Sequence, residues 1–185
     1  MESGDIDIII THSNSISSDN KIYNQFIDIL IKHDIILHVL SRGDSKCLTL
    51  TRIPDRPGKV RRIDFLYSPP QEYPFAILYF TGSKSFNTVM RLKALEKGYT
   101  LNEHGFSLKE NGVKGDLIKD ISFNDERSIF DFLGIKYKSP QERIDGTCIE
   151  DNQQQDSIKT NNLYHQPKTK GKTLKIKENY YKNIN

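Results

Sequence analysis

Gly4-Asp5-Ile6-Asp7-Ile8-Ile9-Ile10 and Arg61-Arg62-Ile63-Asp64-Phe65-Leu66 are the two stretches on which the reading of this chain turns. The first is β-branched around two acids and the second sets one acid amid apolar residues, the pattern of strands. Residues two apart on a strand share a face. Asp5 and Asp7 therefore project together, and Ile6 and Ile8 are expected in the core. Two neighbouring carboxylates repel each other, so an apolar strand that carries them points to a cationic partner. Hard oxygen donors suit Mg²⁺, and carboxylates at i and i+2 can bridge a pair of ions. If the two strands are neighbours, Asp64 completes a three-carboxylate set. The residues alone leave a plainer reading open, with Asp5 and Asp7 on the surface of an edge strand and Asp64 unrelated to them.

Outward from these strands the chain alternates helix and strand signals. Ser18-Asp19-Asn20 offers N-caps for a helix to about His33, with Ile22, Phe26, Ile29 and Leu30 on its apolar face. Residues 47–53 read as a strand and 53–58 as a turn; residues 60–67 form a strand halted by Ser68-Pro69-Pro70. Residues 75–80 are continuously apolar, of helix or strand type, and residues 35–40 are a shorter apolar run. Residues 85–97 read as a helix with Gly98 at its C-cap. Residues 99–108 read as a strand and 109–112 as a hairpin turn. Asn124-Asp125-Glu126 caps a short helix that ends at Gly134. The class is α+β, with a three-strand cluster first and a smaller mixed unit after it.

Composition bounds the rest. The 185 residues hold 27 Lys+Arg against 24 Asp+Glu, a formal net charge of +3, with too much Ile, Leu, Phe and Tyr for wholesale disorder. No run of about 18 apolar residues exists to span a membrane, and no basic segment followed by an apolar one opens the chain as a secretory signal would. Cys47 and Cys148 stand far apart and support neither a disulfide framework nor a zinc site. The five histidines show no metal spacing. A soluble, intracellular protein is expected. From Asp145 the composition turns polar, and Lys168, Lys170, Lys172, Lys175, Lys177 and Lys182 crowd the end against the single acid Glu178. Residues 145–185 are therefore expected to be a disordered Lys/Asn-rich tail that cannot offset its ordering entropy. Such a tail offers phosphate contacts weakened by salt, or serves solubility or targeting.

Further motifs follow in order: Tyr79-Phe80-Thr81-Gly82-Ser83, Phe86-Asn87, Met90-Arg91, Ala94-Leu95-Glu96-Lys97-Gly98-Tyr99 and Asn102-Glu103. Taken with the two aspartate strands, their order and spacing resemble the family X DNA polymerases. The likeness is to the C-terminal half of polymerase beta-like members and to short viral members, and it runs from about Glu2 to Arg143. It implies a partial nucleotidyltransferase-type palm sheet over residues 1–74. A small α+β, thumb-like, nucleotide-selecting subdomain would follow over 75–144, and then the tail. It implies that Asp5, Asp7 and Asp64 are catalytic and hold two Mg²⁺ ions, with Mn²⁺ as a substitute. Asp64 would sit nearer the primer terminus and help remove the 3′-hydroxyl proton. Tyr79, Phe80 and Gly82 would lie beside the incoming sugar, and Asn87 against the incoming base. Arg62 would approach the primer backbone and Arg91 the template minor groove, and Asn102 and Glu103 would link the nucleotide-binding helix to the template side. The implied partners are gapped or primer–template DNA and a dNTP, with no membrane.

Departures from the family pattern qualify that expectation. A Gly-Ser motif and an arginine that grip the triphosphate stand upstream of the first aspartate strand in the family, as do the lyase and helix-hairpin-helix modules. None occurs in this sequence, so an upstream domain or a partner chain is the expected source of that grip. Leu66 stands in place of an arginine, Lys84 of an aspartate and His104 of a tyrosine, and the first two remove charges tied to closure. The implied activity is DNA-directed DNA synthesis, as in gap-filling base excision repair. The alternatives are template-independent nucleotidyl transfer, and a catalytically inactive truncated chain that binds nucleic acid or a partner. No long insert stands near residues 48–64 to block a template, and all three aspartates are retained.

Overall fold

Four strands, β1 (Ile6–Ile10), β2 (Ile36–Arg42), β3 (Lys46–Arg52) and β4 (Val60–Tyr67), form one sheet in the order β1-β4-β3-β2. β1 runs parallel to β4, and the other pairs are antiparallel. The computed structural model describes residues 4–13, 20–52, 58–110 and 112–152. Ser18 and Asp19 as helix caps, residues 53–57 of the expected turn, and residues 153–185 of the expected tail lie outside the described residues.

Sequence reading counts three strands here, and the structure has four. The apolar run after residue 35 becomes β2 because it is long enough only for a strand and pairs at once with β3 across a tight connection. One helix, α1 (Lys21–Lys32), covers the sheet. Its buried residues are Tyr23 and Ile27, which pack with Ile36, Cys47, Ile63 and Phe65. The apolar face expected on Ile22, Phe26 and Ile29 is therefore displaced: Ile22 and Ile29 are exposed, Phe26 is exposed but meets the Phe65 ring edge-on at 6.2 Å, and Leu30 packs against the core. Tyr23 can enter the core because its hydroxyl donates to the Phe65 carbonyl, 3.3 Å away. Ile6 and Ile8, expected in the core, are 44 % and 37 % exposed. They sit on β1, the edge strand of the sheet, and stay partly open there.

The second half forms a separate layer around a larger core. The apolar run at 75–80 is helix α2 (Tyr73–Thr81), with Pro74 in its first turn, where a missing N–H costs nothing. α2 is apolar on nearly every side and is buried accordingly, packing on β1, on a later strand and on the last helix. α3 (Lys84–Glu96) is capped by Ser83, whose hydroxyl accepts from the Phe86 N–H. The expected strand at 99–108 is broken in two by a turn at Glu103-His104. β5 (Tyr99–Asn102), β6 (Gly105–Glu110) and β7 (Val113–Leu117) make a three-stranded antiparallel meander. The Asn102 side-chain oxygen accepts from the His104 and Gly105 N–H groups and so nucleates that turn. α4 (Glu126–Leu133) begins at the Asp125 cap and stops at Gly134, as its sequence signals require. Phe75, Phe86, Met90, Phe106, Ile129, Phe130 and Leu133 fill the core between these elements.

A further correction concerns residue 145. The structure carries the second layer on to Asn152, where the reading above begins a tail. Gly146–Cys148 forms a 3₁₀ turn against α3, Asp151 bridges to Ile135, and Lys93 pairs with Asp151 at 2.9 Å. Gly146 is needed at this contact, since a Cβ there would lie 2.4 Å from a Val89 methyl. The polar composition of 145–152 misleads because its side chains are spent on caps and ion pairs: Asp145 caps Thr147, and Glu150 pairs with Lys136 and Lys138. No helix among the described residues is long and apolar enough to cross a membrane.

Candidate active site

Register assembles the acidic cluster. Asp7 on β1 is the direct partner of Asp64 on β4, and Asp5 precedes Asp7 by two residues on the same face. The antiparallel pairs Leu48↔Asp64, Leu50↔Arg62 and Lys46↔Leu66 add Arg62 and Lys46 to that face. Asp64 is 2 % exposed. Its carboxylate accepts two hydrogen bonds from Arg62, each at 3.1 Å, and lies 3.5 Å from the Lys46 ammonium. Arg62 also reaches Asp5 at 3.9 Å.

Three carboxylates on one face leave a mark on the middle one. The Asp7 carboxyl is held above the usual carboxylate range by its partial burial, then by the Asp5 and Asp64 charges, against the opposing Lys46 and Arg62. Because its proton is bound more tightly in the folded chain, charged Asp7 opposes folding above its folded pKa. That cost fades as pH falls below the unfolded value. Asp7→Asn is therefore expected to raise the melting temperature of the metal-free chain near pH 7, and to lose that advantage near pH 4. Thermal melts in chelator at the two pH values check this, and an unchanged or lower melting temperature at the higher pH would contradict it.

Among the described residues no three metal-ligating side chains converge on one point, and Arg62 and Lys46 occupy the Asp64 carboxylate. The donors are nonetheless all carboxylate oxygens on a paired, rigid sheet face, and they already draw two cationic side chains. Such a donor set fits hard divalent cations.

The remaining sequence-expected residues fall into two groups. Tyr79, Asn87, Arg91 and Asn102 line one crevice of about 10 Å³ with Phe75, Leu78, Met90 and Leu101. The Asn87 amide donates to the Tyr79 carbonyl at 2.7 Å, and the Arg91 guanidinium stacks 5.2 Å above the Tyr79 ring. Gly82 closes α2 with φ 70°, a left-handed value that favours glycine, and is followed by a cis peptide to Ser83. Phe80 packs edge-on against Tyr79 but opens on a different hollow. That hollow, about 150 Å³, is shared with Glu103, His104 and Glu72 and, from the sheet, Ile9, Lys46 and Leu66.

Sequence reasoning passed over Lys46 and Arg143. Lys46 was legible through strand parity, being two residues before Leu48, the register partner of Asp64. Arg143 gave no such signal. Its side chain is fully buried, stacked among Phe86, Phe130 and Tyr137 and paired with Glu126 at 2.6 Å.

The family model for the DNA polymerase beta palm matches residues 1–70, and that for the DNA polymerase beta thumb matches residues 76–144. DNA polymerase lambda of Rattus norvegicus is 33 % identical over 149 residues, covering 76 % of this chain and 26 % of the relative. DNA polymerase lambda of Arabidopsis thaliana is 31 % identical over 155 residues, covering 76 % and 29 %. The crystal structure of Leishmania infantum polymerase beta in a ternary P/T complex superposes with a TM-score of 0.64 at 30 % identity, covering 76 % of this chain and 62 % of that one. The chain thus spans little more than a quarter of the length of these two polymerases lambda.

Proposed function

The chain belongs to the family X DNA polymerases, of which it carries palm and thumb, and from that premise we propose that it extends a primer 3′-hydroxyl by one templated nucleotide at a time, as in gap-filling repair. The observation that carries this reading is the direct pairing of Asp7 with Asp64 on a face shared with Asp5. Asp5, Asp7 and Asp64 would hold two Mg²⁺ ions, or Mn²⁺ in their place. When bound, such ions supply charge neutralisation at the reacting phosphate and at the attacking and leaving oxygens.

The protein's own groups do the positioning on which phosphoryl transfer depends. Asp64 lies nearest the primer terminus and helps draw off the 3′-hydroxyl proton as the new O–P bond forms and pyrophosphate leaves. Arg62, exposed on one side, holds the primer backbone. Tyr79, Phe80 and Gly82 flank the incoming sugar, and Asn87 meets the base. Arg91 faces the template, and Asn102 and Glu103 link the nucleotide-binding helix to the template side. Support for this second group is the crevice that joins Tyr79, Asn87, Arg91 and Asn102. An upstream segment or a partner chain would supply the triphosphate grip.

The test is gap filling. The purified chain is given one-nucleotide-gapped DNA, four dNTPs and Mg²⁺ or Mn²⁺, beside an Asp5→Asn/Asp7→Asn control. Addition directed by the templating base and lost in the control is the expected result. Addition indifferent to that base would assign untemplated transfer instead. No addition from a folded, metal-binding chain would overturn activity of this chain alone and assign the missing grip to another segment.

A further inference from the structure

Helix α3 is gripped on two opposite faces. On one, Asn87 and Arg91 line the crevice, and the Asn87 amide donates to the Tyr79 carbonyl at 2.7 Å, a bond that ties α3 to α2. On the other stand Ser85, Val89 and Lys93, spaced four residues apart. With about 3.6 residues per turn, this second face points half a turn away from Asn87 and Arg91. Residues 145–152 cover it. Gly146 is seated so closely that an added Cβ would overlap a Val89 methyl and lie 3.3 Å from the Ser85 carbonyl oxygen. Asp151 pairs with Lys93 at 2.9 Å.

The covering segment is fixed along its length. Just ahead of it, the Arg143 carbonyl accepts from the Ser83 N–H at the start of α3. In its middle, Cys148 and Ile149 pack against the thumb core. At its end, the Lys136 N–H donates to the Glu150 carbonyl at 2.8 Å and the Asn152 N–H to the Gly134 carbonyl at 2.9 Å, which pins the segment just beyond α4. The match to the family thumb ends at residue 144, so these residues lie past it. A helix packed on one side can roll about its axis, whereas close-packed contacts half a turn apart oppose the roll.

We infer that residues 145–152 are a brace that positions α3 from behind: Gly146, seated on Ser85 and Val89, and the Lys93–Asp151 pair keep Asn87 and Arg91 aimed into the crevice. Gly146 and Asp151 are positioning residues, acting through α3 and touching no substrate. The consequence of the brace for the incoming nucleotide rests on the function proposed above.

The test uses the full chain, Gly146→Ala, Val89→Ala, the double variant and Asp151→Asn. The Gly146 backbone is not left-handed, so alanine there probes the contact and not the φ. Amide exchange followed by NMR reads the brace without any activity. Gly146→Ala is expected to speed exchange of the α3 backbone amides and of the Asn87 side-chain amide on the order of tenfold, and to leave the β6 amides at the parental rate. Val89→Ala in the same chain should restore the parental rates by making room for the new methyl. Asp151→Asn should act in the same direction by about twofold, the size of an exposed ion pair. In gap filling, Gly146→Ala should raise the dNTP KM about three- to tenfold with kcat nearly unchanged, again reversed by Val89→Ala. Parental exchange in α3, or equal acceleration in α3 and β6, overturns the brace, the second result reducing residue 146 to a general stability contact. If Gly146→Ala does not fold, Asp151→Asn decides by the same comparison. A folded parent that adds no nucleotide overturns the proposed function of this chain alone, and the exchange rates still decide the brace.

Discussion

On the proposed function, Asp64→Asn is expected to lower templated nucleotide addition by at least about a thousandfold, which corresponds to roughly 4 kcal/mol of transition-state stabilisation. The size follows from position. Asp64 is the buried member of the three carboxylates, set directly beside Asp7 and locked by two hydrogen bonds from Arg62. An amide of the same shape keeps one acceptor for Arg62 but removes the charge that would hold a cation next to the primer terminus. Folding should be nearly unaffected, because the two cations that lose their partner, Arg62 and Lys46, are 44 % and 49 % exposed and can turn to water. Single-turnover gap filling beside a thermal melt separates the two effects. Near-parental turnover from the folded variant would remove Asp64 from the catalytic set.

Arg143→Ala should be the most destabilising single change in the thumb, by about 3–5 kcal/mol. That is a large share of the roughly 5–15 kcal/mol that holds a typical domain together. The guanidinium is wholly enclosed: it donates to Glu126 at 2.6 Å and to the Lys138 carbonyl at 2.9 Å, with three aromatic rings around it. Truncation leaves Glu126, itself largely buried, without a cation and opens a cavity against Phe86 and Phe130. Because the Arg143 carbonyl also accepts from the Ser83 N–H at the start of α3, loss of order there reaches the helix that carries Asn87 and Arg91. Urea denaturation reads the cost. Arg143→Met paired with Glu126→Leu should recover most of it, since replacing a buried ion pair by packed apolar groups is often neutral. A loss below about 1 kcal/mol for Arg143→Ala would show that the pair contributes little net stability.

Local signals made much of this molecule legible. The caps at Asp125 and Gly134 set helix ends because they depend only on neighbouring backbone groups. The aspartate strands and the aromatic turn at residues 79–83 carried the family likeness, since chemistry confines those residue types to those spacings. Errors arose where burial was at stake. Ile22, Phe26 and Ile29 look like a core face on a helical wheel, yet Tyr23 and Ile27 turn inward, because the sheet's contour and a carbonyl within reach of the tyrosine hydroxyl decide the helix's rotation. Residues 145–152 look like tail, yet they pack on α3 through a glycine with no room for a side chain.

By itself the sequence determined most of the helices and the aspartate strands, the family likeness, and that Asp5 and Asp7 share a face, because strand and helix periods are properties of the chain. Only the tertiary structure decided that Asp7 lies beside Asp64, that Lys46 and Arg62 hold that carboxylate, and that Arg143 is sealed among aromatic rings. Register, edge position and enclosure depend on which segments meet across tens of residues, and no local period encodes that meeting.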